Sequence, residues 1–378
     1  MFEQTHRPLV SIIISNFNGK NYVEACLSSV LKTAYSNFEV VLVDNASTDG
    51  SLSLVEKSFG RDSRLRIVRN NRDLGFSVAN NIGFEYASGS YIVFLNNDTV
   101  VDSQWLNYLI EAFESDRTIG MAQTAILEIT GDKIQTNGLL LSDYYMYGYA
   151  IGRGKPTDTK YPPTFEVSFA GGAAMIIDRK LIDESGLFES LVSFNYDDIL
   201  LSIKTWLAGK RVVTVSKSMI YHAGGKATIG NRTYYDTLFL EAKICVLFDI
   251  YYRFKDLAKA LFFFGYSLTF QFMYNILRKN LSFASTEFHA MRWALRNFGA
   301  IWQNRNKHWS NAKISPTTLL DKFIRIRMPS HAFYLLPPSQ WRKYCEDEAK
   351  KYEIALSQSC GSATTSSVNS LVRSRKFF

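Results

Sequence analysis

Neither a CxxC pair, nor a glycine-rich phosphate loop, nor a long N-terminal apolar segment occurs in this chain of 378 residues. The four cysteines (Cys26, Cys245, Cys345, Cys360) are scattered, which argues against a zinc ribbon or a disulfide framework and fits a reducing compartment. GxGxxG and GxxxxGK[ST] are both missing, so dinucleotide dehydrogenases and P-loop NTPases lose support. The start, MFEQTHRPLVSIIIS, has no basic region ahead of a long apolar stretch. Its short apolar run, Leu9 to Ile14, is expected to be a strand and not a signal peptide. No internal repeat is visible.

What is present is globular: 47% hydrophobic, 14% aromatic and 21% charged residues. The length suits one large domain and a smaller one. Charge is unevenly spread. Met1 to Leu240 holds 22 Lys and Arg against 26 acids, whereas Glu241 to Phe378 holds 21 against 9. The second part therefore calls for an anionic partner. Its basic residues sit among aromatic and apolar ones with no recognition motif, which disfavours nucleic acid.

From Leu9 to Ala125 apolar strand runs (LVSIIIS, FEVVLVDN, LRIVRN, YIVFLNN) alternate with helical spacing, the mark of βαβ units. Residues 126 to 170 are less regular. GGAAMIID at 171–178 is expected to be a strand, Asp198 to open a helix, and VVTVSKSMIYH to be a strand ending at His222. From Leu238 to about Trp309 the pattern is helical, aromatic and basic. Leu257 to Leu277 is about long enough to cross a bilayer, although Lys259 and Gln271 interrupt it. The Ser- and Thr-rich tail from Ser357 is expected to be disordered.

Three acidic stations end apolar runs: Asp44, Asp98 and the pair Asp197-Asp198. In open α/β sheets ligands bind beyond the carboxyl ends of the strands. Asp98 in LNNDT can hold a hard divalent cation together with phosphates, or it can cap the next helix. Asp44 can accept from a pyrimidine ring N–H, or close an Asx turn. Asp197 and Asp198 can be a general base and its partner, or a helix N-cap. His222 can be a metal ligand or an ordinary hydrogen-bonded residue. In LGFSVANNIG, Gly75, Asn80, Asn81 and Gly83 stand at a predicted helix start, suited to phosphate or ribose, and the glycine pairs at 171–172 and 224–225 allow close backbone approach.

In order, VSIIISNFNG, VVLVDNASTDGS, DLGFSVANNIG, FLNNDT, GGAAMIIDR and YDDILLSIK resemble family 2 glycosyltransferases. Within that family the chain is similar to the rhamnosyltransferase and galactofuranosyltransferase type, over about residues 8 to 232. The resemblance implies the GT-A fold, a Rossmann-like mixed sheet with helices on both faces, and a catalytic domain at 1–235; composition adds the expectation of a basic aromatic, membrane-associated helical region at 236–356 and a tail at 357–378. It implies inverting transfer from a UDP- or dTDP-sugar to a glycan or lipid-linked acceptor. Asp198 would be the base and Asp197 its neighbour. Asp98 and His222 would hold Mg²⁺ or Mn²⁺. Asn16, Phe17, Asn18, Asp44, Asn45, Gly75, Asn80, Asn97 and Gly172 would contact the donor. The expected place is the cytoplasmic face of the cell membrane, bound peripherally to its anionic surface. Three positions depart from the family pattern: Asn96-Asn97-Asp98 keeps one acid, Asp73 replaces Asn, and Leu200 replaces Asp. A non-catalytic carbohydrate- or membrane-binding relative, or a sugar-phosphate nucleotidyltransferase, is the alternative reading.

Overall fold

The computed structural model describes residues 7–144, 146–189, 191, 196–224, 232–327 and 338–359. The first half runs β1 (Val10–Asn16), α1 (Val23–Leu31), β2 (Phe38–Asp44), α2 (Ser51–Phe59), β3 (Leu65–Arg69), α3 (Gly75–Glu85), β4 (Tyr91–Asn96), β5 (Thr99–Val101), α4 (Trp105–Ser115) and β6 (Ile119–Glu128). Four short strands follow, β7 (Ile134–Thr136), β8 (Leu139–Ser142), β9 (Gly148–Ala150) and β10 (Thr164–Glu166). Next come β11 (Ala174–Asp178), α5 (Arg179–Ser185), α6 (Asp197–Leu207) and β12 (Arg211–His222). The remainder is α7 (Arg232–Ile250), α8 (Phe254–Leu277), α9 (Leu281–Arg296), α10 (Phe298–Ser310), α11 (Pro316–Phe323), β13 (Ile324–Ile326) and α12 (Pro338–Gln358).

The main sheet has the order β10-β12-β6-β11-β4-β1-β2-β3. Strands β4, β1, β2 and β3 are parallel, whereas β11 runs antiparallel between β4 and β6. Period-two alternation sorts the side chains onto two faces. Ile12 and Ile14 enter one core with Leu27 of α1 and Trp105 of α4, and Ile13 enters the other with Ala79 of α3 and Ile203 of α6. Covering both faces explains the nearly unbroken apolar strands. Full burial of each such side chain contributes about 1.5–3 kcal/mol.

The irregular segment 126–170 hides its strands because each has only three or four residues, too few for a period to show. The C-terminal helices pack on the first part of the chain. Leu200, Ile203 and Trp206 of α6 share one core with Val246 of α7, Ile301 of α10 and Leu319 of α11. β13 joins β8 and β9 in a separate three-stranded sheet. Helix α12 docks there through Glu353, which accepts from the hydroxyls of Tyr149 (2.8 Å) and Tyr161 (2.6 Å) and pairs with Lys155 (2.8 Å). Ser357 and Gln358 close α12; the expected disordered tail lies, from residue 360 onward, outside the described residues.

Candidate active site

Register gathers the strand-end residues. Asn16 lies beside Asp44 across β1 and β2, and Ser15 beside Asn96 across β1 and β4. Asn16 is the hub. Its Nδ2 donates to Asp44 Oδ1 (2.8 Å), Ser47 Oγ (3.1 Å) and Ser51 Oγ (3.0 Å), and its Oδ1 accepts from Asn97 Nδ2 (2.8 Å). A Cβ at Gly19 would sit 2.2 Å from Asn97 Nδ2 and 2.3 Å from Asn16 Oδ1, so only glycine admits this bridge. Asp44 also accepts from the Ser47 backbone N–H (3.0 Å), forming the turn foreseen as its structural role. Each carboxylate oxygen has a further lone pair for a base. Phe17 is exposed, and Asn18, at φ +50°, accepts from the Thr48 backbone N–H (2.9 Å).

Helix α3 begins at Gly75, three residues before the VANNIG run. Gly75 has φ +75° and its N–H donates to Asp73 Oδ1 (2.9 Å). The same oxygen accepts from Asn45 Nδ2 (3.3 Å), so Asp73 has a local structural use. Asn80 is fully buried; its Nδ2 bonds Phe76 O (2.9 Å) while Oδ1 has no partner. Asn81 instead brackets the backbone of Phe188. Gly83 lets the helix meet the sheet, since a Cβ there would lie 2.5 Å from Ile13 Cγ2.

Asp98 does not cap α4. No side chain caps α4; Asp102 closes the turn before it, accepting from Gln104 N (2.8 Å). Asp98 instead faces His222, brought alongside because His222 pairs with Thr99 across β12 and β5. Asp98 Oδ1 and His222 Nε2 are 3.1 Å apart, with side chains 19% and 12% exposed. Gln135 Oε1 lies 2.8 Å from His222 Nδ1; when that nitrogen carries the N–H and donates to Gln135, the Nε2 lone pair faces the carboxylate. Two acceptors this close require a proton or a cation between them. Their separation is what two adjacent ligands keep when each sits about 2.1 Å from one octahedral ion. Among the described residues no group of three His, Cys, Asp or Glu could hold a metal. A cation here would need phosphate oxygens and water to complete its shell. Gln135 was not foreseen in the sequence, because it lies in one of the three-residue strands.

Asp197 and Asp198 open α6, after Tyr196 in the left-handed region at φ +62°. Such backbone strain clusters at functional sites. The Tyr196 hydroxyl donates to Met146 O (3.0 Å) and its ring packs edge-on against Phe239. Asp197 is buried and accepts from Ser77 Oγ (3.0 Å). Asp198 Oδ2 accepts from Gly172 N (2.9 Å) and Oδ1 from Ile199 N (2.8 Å). The two preceding amides are also occupied, Gly171 N by Gln123 Oε1 (2.9 Å) and Ala170 N by Ser202 Oγ (3.2 Å). This clamp lies next to the Asp98 strand end, because Asn96 N donates to Ala173 O (3.0 Å). Burial raises the pKa of Asp198, the charge of Asp197 raises it further, and the two backbone N–H bonds only partly oppose them; it reaches about 7. Burial also raises Asp197. The α6 N-terminus favours carboxylates, but desolvation prevails.

A buried charge network joins α6 to the C-terminal helices. Lys204 Nζ bonds Glu189 Oε1 (2.5 Å), and His308 bridges Glu189 (3.0 Å) and Asp249 (3.0 Å). Burial would raise Glu189, but the His308 hydrogen bond and the Lys204 charge bring it down to about 2. Burial would lower His308, but the bonds to Asp249 and Glu189 raise it. Its stabilising charge is therefore fully present below about pH 6.5 and is lost as pH rises through the folded value. Glu189 acts in the opposite sense, contributing above about pH 4.5 and losing that contribution toward pH 2. His308→Ala should destabilise the fold by about 3 kcal/mol. In urea unfolding the deficit should be largest at pH 5–6.5 and smaller at pH 9. A deficit equal at both pH values would show that the charge plays no part.

Comparison with known proteins follows the same residues. Residues 11–186 match the family described as glycosyl transferase family 2. An uncharacterized glycosyltransferase of Haemophilus influenzae is 32% identical over 126 residues, 33% of this chain and 39% of that protein. A putative teichuronic acid biosynthesis glycosyltransferase, TuaG of Bacillus subtilis, is 25% identical over 46% of this chain and 64% of its own. The matches thus span less than two thirds of those relatives. Two solved structures share the GT-A fold at 18% identity. GalNAc-T7 with UDP, GalNAc and Mn²⁺ has a TM-score of 0.61, covering 84% of this chain and 57% of its own. S. aureus TarS 1–349 in complex with UDP-GlcNAc has 0.51, covering 93% and 90%.

Proposed function

We propose that this chain, whose residues 11–186 form a glycosyl transferase family 2 domain, moves a hexose from a nucleotide-diphospho-sugar to an acceptor hydroxyl with inversion. The observation that carries the reading is Asp198, clamped at Gly172 beside the Asp98 strand end with its pKa raised to about 7. A base poised near neutrality is matched to deprotonating a hydroxyl. Asp198 takes the acceptor proton as the oxygen forms its bond to the anomeric carbon, from the face opposite the diphosphate. The bond from that carbon to the diphosphate oxygen breaks, and nucleoside diphosphate departs with the electron pair. Asp197 tunes the base, and the Gly172 and Ile199 amides aim it. Asp98 and His222, the latter oriented by Gln135, would hold Mg²⁺ or Mn²⁺, whose Lewis acidity neutralises a departing diphosphate.

The donor class is supported by the fold relatives, TarS solved with UDP-GlcNAc and GalNAc-T7 with UDP and GalNAc. Asn16, Asp44, Asn45 and the α3 N-terminus form the cleft wall offered to its nucleoside, and a UDP- or dTDP-sugar suits the Asp44 acceptor. The acceptor is a glycan or lipid-linked hydroxyl. The excess of 21 basic over 9 acidic residues after Leu240 supports work at the inner, anionic face of a cell membrane.

Because the base must be unprotonated, kcat/KM should rise with pH and level off above about 7. Asp197→Asn removes the neighbouring charge and should move that midpoint to lower pH. Initial rates from pH 5 to 9 test both. A midpoint left in place, or moved upward, would remove Asp198 from the role of base.

A further inference from the structure

We propose that the α8–α9 hairpin lies flat on an anionic bilayer, with the outer side of α8 immersed at the boundary between headgroups and acyl chains. The observation is a helix that is apolar on both sides. Its inner side, including Leu257, Ala260, Phe264 and Leu268, is buried. Its outer side carries Phe254 (81% exposed), Leu261, Phe262 (65%), Met273, Ile276 and Leu277 (79%). At 100° per residue Phe262, Met273, Ile276 and Leu277 point away from the buried set, whereas Phe254 and Leu261 stand at its margin. A surface helix of a water-soluble protein is normally polar on its outer side, and contiguous exposed apolar faces mark interaction sites. Helix α9 continues the pattern, with exposed Phe288, Met291 and Leu295 beside Arg292 and Arg296.

Charge identifies the occupant. Between Arg253 and Phe298 there are seven Lys and Arg against two acids. Arg253 and Lys255 stand at one end of α8, Arg278 and Lys279 at the other. Anionic headgroups satisfy such a rim while the apolar side is buried. A second copy of the chain would bring like charges face to face across a twofold contact.

Packing determines the mode. Among the described residues α8 is the one helix long and apolar enough to cross a membrane, yet its inner side is held by protein. Asn275 Nδ2 donates to Glu287 Oε1 of α9 (3.3 Å), and α9 carries Arg292 and Arg296. Threading α8 across the bilayer would drag these charges into hydrocarbon. The hairpin therefore lies on the surface.

The inference rests on the membrane location proposed above and not on the transfer chemistry. Full-length protein should float with phosphatidylcholine vesicles containing phosphatidylglycerol, far less with pure phosphatidylcholine, and should be released by alkaline carbonate. Phe262→Ser combined with Leu277→Ser should weaken binding about tenfold or more with an unchanged melting temperature. Absence of flotation, equal flotation of the double variant, or resistance to carbonate would each overturn the proposal. So would a dimer in ultracentrifugation that the double variant breaks, together with absence of flotation. Nucleoside diphosphate release without vesicles is measured in parallel. Protein that floats but releases none removes the transferase reading and leaves this one standing.

Discussion

Asp198→Asn should lower kcat by about 10³-fold or more, within the range expected for loss of a positioned general base, and leave donor affinity nearly unchanged. The side chain keeps its size, so the cleft wall formed by Asn16, Asp44 and α3 is untouched. What changes is proton acceptance. The carboxylate now accepts from two backbone N–H groups, Gly172 and Ile199. An amide has one oxygen for both, so one bond is lost at about 1–3 kcal/mol, and a melting curve must show that the variant remains folded. Titration calorimetry with donor and metal then separates the roles. If donor binding disappears along with transfer, Asp198 belongs to the donor site and the assignment of roles is wrong.

Asp98→Ala should weaken metal-dependent donor binding by about 100-fold or more and make residual activity insensitive to chelator. The argument is the pair of acceptors 3.1 Å apart. Removing one leaves His222 alone and the diphosphate without a counter-charge fixed to the protein. Gln135→Leu should have the smaller effect of an orienting partner, about tenfold, because it frees the imidazole without deleting a ligand. This graded order, Asp98 above Gln135, is what a structural hydrogen bond would not produce. Wild-type activity unaffected by chelator would sink the metal reading.

The strand–helix order up to Asp116 was legible because those strands are long, apolar and buried on both faces. His222 at the end of a strand and the helix opening at the Asp197-Asp198 pair were legible for the same reason. The segment 126–170 was not. Its short strands have no readable period, and with them went Gln135, the residue that orients His222. The helix start expected in LGFSVANNIG is α3, which opens at Gly75, a glycine at positive φ whose N–H donates to Asp73. Sequence alone left Asp44 and Asp98 each with two roles. Geometry shows Asp44 closing its turn. Asp98 faces His222 instead of capping α4, and a side chain drawn toward a strand distant along the chain leaves no local trace. The clamp of Ala170, Gly171 and Gly172 on Ser202, Gln123 and Asp198 was likewise invisible, for its partners are distant in sequence.

The central claim is transfer from a nucleotide-diphospho-sugar with Asp198 as base. Its most direct test is release of nucleoside diphosphate from a panel of UDP- and dTDP-sugars, with Mg²⁺ or Mn²⁺ present, by the wild type and by Asp198→Asn. The account requires acceptor-dependent release with at least one donor by the wild type, and its near-complete loss in the variant. Release from no donor, or equal release by both proteins, would contradict it.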